Sequence, residues 1–251
     1  MNLPSKRQIW RIGLLVLVAA IAFWGVRWAT YARPPLPEAA AALESDASVT
    51  VTRQPWLTFA PADSTPGTGL IFYPGGRIDP RGYASLMRPI ASTGYLVVVP
   101  SMPINMAPFR PNVADRIIAA HPEIDRWVIG GHSVGGTMAA QYTDRHRDAI
   151  AGLVIWASYP ANNADLSDAD LPVALIYGTL DPRVNDESIA ERRHLLPADT
   201  VYVRIEGGDH HQFGSYEITP EEHHATIDRA SQQEQIIEGT LRLLETASEA
   251  E

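Results

Sequence analysis

The sequence contains no cysteine. Disulfides, thiolate-held metals and a cysteine nucleophile are thereby excluded. The compartment stays open, because a thiol-free chain is indifferent to redox poise. Basic charge is also short. Lys and Arg number 20 against 29 Asp and Glu, a net charge of -9, with a pI near 5.3. Binding nucleic acid needs a basic face, so no nucleic-acid partner is expected. There is no internal repeat. The 8 histidines include no His-x-x-x-His spacing. The adjacent pair His223 and His224, near Glu221, Glu222 and Asp228, cannot share one helix face, so neither metal nor cofactor is expected.

What is present begins with one long apolar run. Residues 12–26 carry no charge. Lys6, Arg7 and Arg11 precede them, and Arg27 and Arg33 follow. Trp10, Trp24, Trp28 and Tyr31 resemble interfacial anchors. Residues 9–31 suffice to cross a bilayer core of roughly 30 Å. No small-x-small cleavage site follows the run, so an uncleaved signal anchor is expected. The basic flank favours the N-terminus inside and the rest outside, in a single pass. Residues 32–48, rich in Pro and Ala, read as a tether. Residues 49–251 then form one catalytic domain, and 1–31 the anchor.

Within that domain, apolar β-branched runs alternate with helical patterns. Strands are predicted over 49–53, 56–60, 70–73, 95–99, 127–129, 152–157, 172–178 and 200–205. Helices are predicted over 83–93, 113–120, 137–142, 188–195 and 230–247. Asp186 and Glu187 read as caps of the helix at 188. Such alternation means βαβ units, hence an α/β fold with a doubly wound, mostly parallel sheet.

Residues 131–135 read Gly-His-Ser-Val-Gly between a buried strand and an Ala-rich helix. This G-x-S-x-G spacing holds a serine on a sharp strand-to-helix turn. The residues two before and two after it pass so close that neither can carry a Cβ. The helix beyond points its free N–H groups at the place where an oxyanion would form. Ser133 is therefore the candidate nucleophile. A serine needs a base and a carboxylate that orients it. Asp181 follows the strand at 172–178, where a strand-end loop would place the acid. His210 or His211 follows the strand at 200–205, and spacing alone leaves that choice open. Asp209 is a rival acid, awkwardly adjacent to His210. The oxyanion donors expected are the N–H of Val134 and that of Gly76, with Arg77 as second choice. Arg77, His132 and His211 are pocket candidates, and His132 is expected to pack beneath the turn.

These residues resemble the α/β-hydrolase superfamily, and within it small bacterial hydrolases with a dienelactone-hydrolase-like core. The likeness rests on Tyr73-Pro-Gly-Gly-Arg77, Val99-Pro-Ser-Met-Pro103, the turn at 130–136, Gly178-Thr-Leu-Asp181 and Gly207-Gly-Asp-His-His-Gln-Phe-Gly214. It implies that His210 is the base. Dienelactone hydrolases proper use cysteine where this chain has Ser133, so their substrate is not implied. Residues 158–172, where larger relatives insert a cap, are short and polar. A shallow site for a small-molecule ester, with minimal cap, is expected. The same triad could serve an acyltransferase, or the scaffold a non-catalytic, membrane-tethered binding protein.

Overall fold

In the computed structural model residues 6–249 are described, so the expectations for residues 1–5 of the anchor and 250–251 of the catalytic domain lie outside the described residues. Eight strands form one sheet: β1 (Val49–Thr52), β2 (Leu57–Pro61), β3 (Thr68–Tyr73), β4 (Leu96–Val99), β5 (Arg126–His132), β6 (Gly152–Trp156), β7 (Val173–Gly178) and β8 (Val201–Ile205). Their spatial order is β1-β2-β4-β3-β5-β6-β7-β8. The first two pair antiparallel with each other, and β2 pairs antiparallel with β4. The remainder is parallel, as the alternation of elements requires.

Side-chain alternation along β3 explains the layering. Leu70 and Phe72 face one core, with Leu86, Ile90, Ile236 and Leu244. Ile71 and Tyr73 face the other, with Ile117, Ala139, Leu175 and Ile189. Helices α3 (Ala84–Ser92) and α7 (Arg229–Glu249) thus cover one face. Helices α4 (Val113–Ala120), α5 (Val134–Arg145) and α6 (Asp186–Arg192) cover the other. Strands buried on both sides are continuous apolar runs for this reason.

Three expectations need correction. Helix α5 starts at Val134, not at residue 137, because Gly135 and Gly136 read as turn although they lie in the first helical turn. The cap of α6 is Asn185, whose side chain accepts from the Ser188 N–H. Asp186 instead pairs with Arg204 at 3.0 Å. Third, residues 32–48 do not hang free as a tether. Arg33 bridges Ile78 and Pro35 bridges Tyr216. The N–H of Leu36 donates to Ser215 O at 2.9 Å and that of Glu217 to Pro34 O at 3.0 Å. A short helix α2 (Pro37–Ala41) follows, with Ala39 buried.

Helix α1 (Lys6–Ala29, 24 residues) spans about 36 Å at ~1.5 Å per residue. It is long and apolar enough to cross a bilayer, and its large side chains, such as Leu14, Leu15, Phe23 and Trp24, are exposed.

Candidate active site

The expected residues converge at the carboxyl ends of β3, β5, β7 and β8. Ser133 stands between β5 and α5 with φ +53° and ψ -127°, a conformation that costs a non-glycine residue energy and persists only where surroundings enforce it. Its N–H donates to Trp156 O at 2.9 Å, which ties the turn to β6. The crossing predicted from spacing is tight. A Cβ on Gly131 would lie 2.5 Å from the Gly135 carbonyl carbon, and one on Gly135 would lie 2.2 Å from Tyr73 O. Helix α5 points its N-terminus at the serine, so its dipole favours negative charge there.

His210 lies on the loop after β8, with Asp181 on the loop after β7. His210 Nδ1 is 2.6 Å from Asp181 Oδ2, and both side chains are buried. Asp181 Oδ1 accepts the N–H groups of Arg183 at 2.7 Å and Val184 at 3.1 Å. A carboxylate held by those donors can only accept, so Nδ1 donates and Nε2 is left free as an acceptor. The His211 ring makes no hydrogen bond to a carboxylate among the described residues; its Nε2 stands 3.9 Å from Glu222 Oε1. Its Nδ1 is 3.4 Å from the Tyr216 hydroxyl, and burial, followed by the charge of His210, pushes its pKa down to about 4.

Ser133, His210, Gly76, Arg77, His132 and His211 all line one cavity of about 190 Å³. Asp181 lies behind His210. Ser133 Oγ makes no hydrogen bond to His210 Nε2 among the described residues, although both residues line the same cavity. Val134 and Gly76 are neighbours: a Cβ on Gly76 would lie 3.3 Å from Val134 Cγ1 and 3.0 Å from Met106 Sδ. Gly76 and Arg77 differ in their backbone partners. The Arg77 N–H donates to Asn105 O at 2.8 Å and that of Gly75 to the Tyr83 hydroxyl at 2.9 Å. The N–H groups of Gly76 and Val134 have no acceptor among the described residues.

His132 does pack beneath the turn, in a specific way. Its Nε2 is 3.1 Å from the His210 carbonyl and its Nδ1 is 2.9 Å from the Tyr83 hydroxyl. A carbonyl cannot donate, so Nε2 carries the proton and Nδ1 accepts from Tyr83. Burial, then the neighbouring charges of His210 and His211, holds the ring well below its usual pKa and hence neutral. The loop carrying Gly75 and the loop carrying His210 are thus joined through two side chains.

Sequence reasoning missed several contributors. Asp209, weighed only as a rival acid, is fully buried. It accepts four backbone N–H groups, from His211, Gln212, His224 and Ala225, and so shapes the loop that carries His210. An Asp beside two glycines was its only signal. Tyr31, Arg33, Arg183 and Tyr216 also line the cavity, and nothing local in the sequence marks them. No group of three or more metal-ligating side chains occurs among the described residues.

Comparison with known proteins agrees with this architecture. No curated protein matches the sequence. Among solved structures, a putative lipase from Acinetobacter baumannii AYE is 14% identical with a TM-score of 0.62, covering 84% of this chain and 94% of its own. A membrane phospholipase A, described as a bacterial virulence factor, is 16% identical with a TM-score of 0.59, covering 98% and 100%. A predicted CIB-like hydrolase from Thermoplasma acidophilum is 16% identical with a TM-score of 0.58, covering 79% and 98%. At these identities the likeness is one of fold. The model of the alpha/beta hydrolase family matches residues 69–234. That span is well over half of the sequence and holds Ser133, Asp181 and His210: the chain belongs to the alpha/beta hydrolase family and is a hydrolase of that fold.

Proposed function

We propose that this hydrolase cleaves carboxylic esters through an acyl-enzyme. Ser133 attacks the ester carbonyl as His210 Nε2 takes its proton. Asp181 holds the tautomer and supports the imidazolium that results. The N–H groups of Gly76 and Val134 receive the oxyanion. His210 then protonates the leaving alcohol, and water repeats the sequence on the acyl-enzyme. The observation that carries the reading is the buried His210–Asp181 pair at 2.6 Å, in the wall of the cavity that holds a serine at positive φ. No cofactor enters these steps.

The exposed apolar surface of α1 supports a single-pass anchor through residues 9–31, with the catalytic domain on the side opposite the basic flank. The test of the chemistry is covalent labelling. A fluorophosphonate is expected to label the protein stoichiometrically, and Ser133→Ala to abolish the label. Persistent labelling of the alanine variant would remove Ser133 from its role.

A further inference from the structure

The substrate must also satisfy the rest of the cavity, and that surface is cationic. No carboxylate lines it, whereas Arg33, Arg77 and Arg183 do. Arg33 is neutralised by Glu222 through two hydrogen bonds, at 2.8 and 2.5 Å. The other two are not compensated. Arg77 donates to Trp28 O at 3.0 Å and lies 4.2 Å from the Trp28 ring centroid, contacts that position the guanidinium without cancelling its charge. Arg183 makes no side-chain hydrogen bond or ion pair among the described residues, and its charge reaches inward to lower the basicity of His132 and His211.

Two uncompensated guanidinium groups at one cavity are notable in a chain of net charge -9. In the sheet order Arg77 follows β3 and Arg183 follows β7, on opposite sides of β5 and Ser133. Planar guanidinium groups pair best with carboxylate or phosphate oxygens, so an anion in this cavity would give each of them the partner it lacks. We propose that the preferred substrate is an ester bearing an anionic group, carboxylate or phosphate, held by Arg77 and Arg183 beside the scissile carbonyl. This rests on the serine-hydrolase reading above. Because Arg77 is stacked on the last turn of α1, such an ester could be a soluble acid ester or an anionic lipid at the membrane face. The shared chemistry is the anion.

The experiment uses the full chain in detergent, with two matched pairs of substrates. One pair is mono-4-nitrophenyl glutarate against 4-nitrophenyl pentanoate. The other is dioleoylphosphatidylglycerol against dioleoylglycerol in mixed micelles. The anionic member of at least one pair is expected to have the higher kcat/KM, by about tenfold or more. A preference in the first pair alone identifies a soluble ester, and in the second alone a lipid. Arg77→Gln and Arg183→Gln are each expected to cut the anionic-to-neutral ratio by roughly tenfold, and added salt to erode it. Equal or inverted preference in both pairs, with fluorophosphonate still labelling Ser133, overturns the anion and leaves the serine chemistry standing. Absence of both labelling and ester turnover sinks the chemistry itself, and the anion proposal with it.

Discussion

Asp181 performs two tasks with one carboxylate. One oxygen fixes its own loop through two backbone N–H groups, and the other fixes His210. Asp181→Asn keeps the first task, since an amide oxygen still accepts. It reverses the second, because the amide N–H₂ then faces Nδ1 and drives the proton to Nε2. Ester turnover is expected to fall on the order of 10⁴-fold, with the melting temperature little changed; single-turnover kinetics beside thermal denaturation would measure both. Tyr83 has the opposite character. Its hydroxyl accepts from Gly75 N–H and donates to His132, away from the reacting atoms. Tyr83→Phe leaves a buried donor and a buried acceptor unpaired, at about 2 to 4 kcal/mol in all. Denaturant titration should show that loss, accompanied by a lower kcat as the loops around Gly76 and His210 loosen. Stability equal to the parent protein would mean that the Tyr83–His132 link carries no load.

Among the elements, the segment after α1 departs furthest from its sequence signature. Its Pro-rich composition read as a spacer, yet its backbone bonds to residues 77, 79, 215 and 217, and Tyr31 and Arg33 form part of the cavity wall. Hydrogen bonds made by backbone leave no mark on side-chain pattern, which is why the misreading was natural. A chain beginning at residue 28 keeps Trp28 beneath Arg77 and is therefore expected to keep its activity in solution. One beginning at residue 48 loses a wall of the cavity, and with it at least tenfold in kcat/KM and several degrees of melting temperature. Comparable kinetics for both truncations would return the segment to the status of a spacer. The strands were far more legible. β3 to β7 are short apolar runs whose burial on both faces demands that composition, and most boundaries lie within a residue or two of expectation, as with β4 at Leu96–Val99 against a predicted 95–99, whereas β5 runs three residues past the predicted 129 to His132.

The whole molecule carries a latent acid sensitivity. His211 has its pKa lowered to about 4 by burial and by His210, whereas the unfolded side chain titrates near 6.5. Between these values the unfolded state binds more protons than the folded one. Stability is thus complete above pH 6.5 and is lost as pH falls toward 4, by about 3 kcal/mol from this residue. His132, also held neutral, acts in the same direction. Unfolding free energy measured by denaturant at pH 7, 5.5 and 4.5 should fall steadily, and His211→Asn should flatten the decline. A parent protein equally stable at all three values would contradict the buried neutral pair.

Local sequence alone marked the central strands and singled out Ser133 as the candidate. A strand buried on two faces must be apolar throughout, and a turn in which the backbone crosses itself must have glycine at both flanking positions, so both constraints are written in consecutive residues. The selection of His210 over its neighbour is different in kind. Spacing left the two equal; a resemblance favoured one; and the geometry pairs that one with an Asp 29 positions away in sequence. Arg33 and Arg183 of the cavity, the Tyr83–His132 link and the wall built by the segment after α1 lie wholly on the tertiary side. Each depends on side chains or backbone from elements distant in the chain, and only the strand order of the folded sheet brings them within a few ångströms of one another.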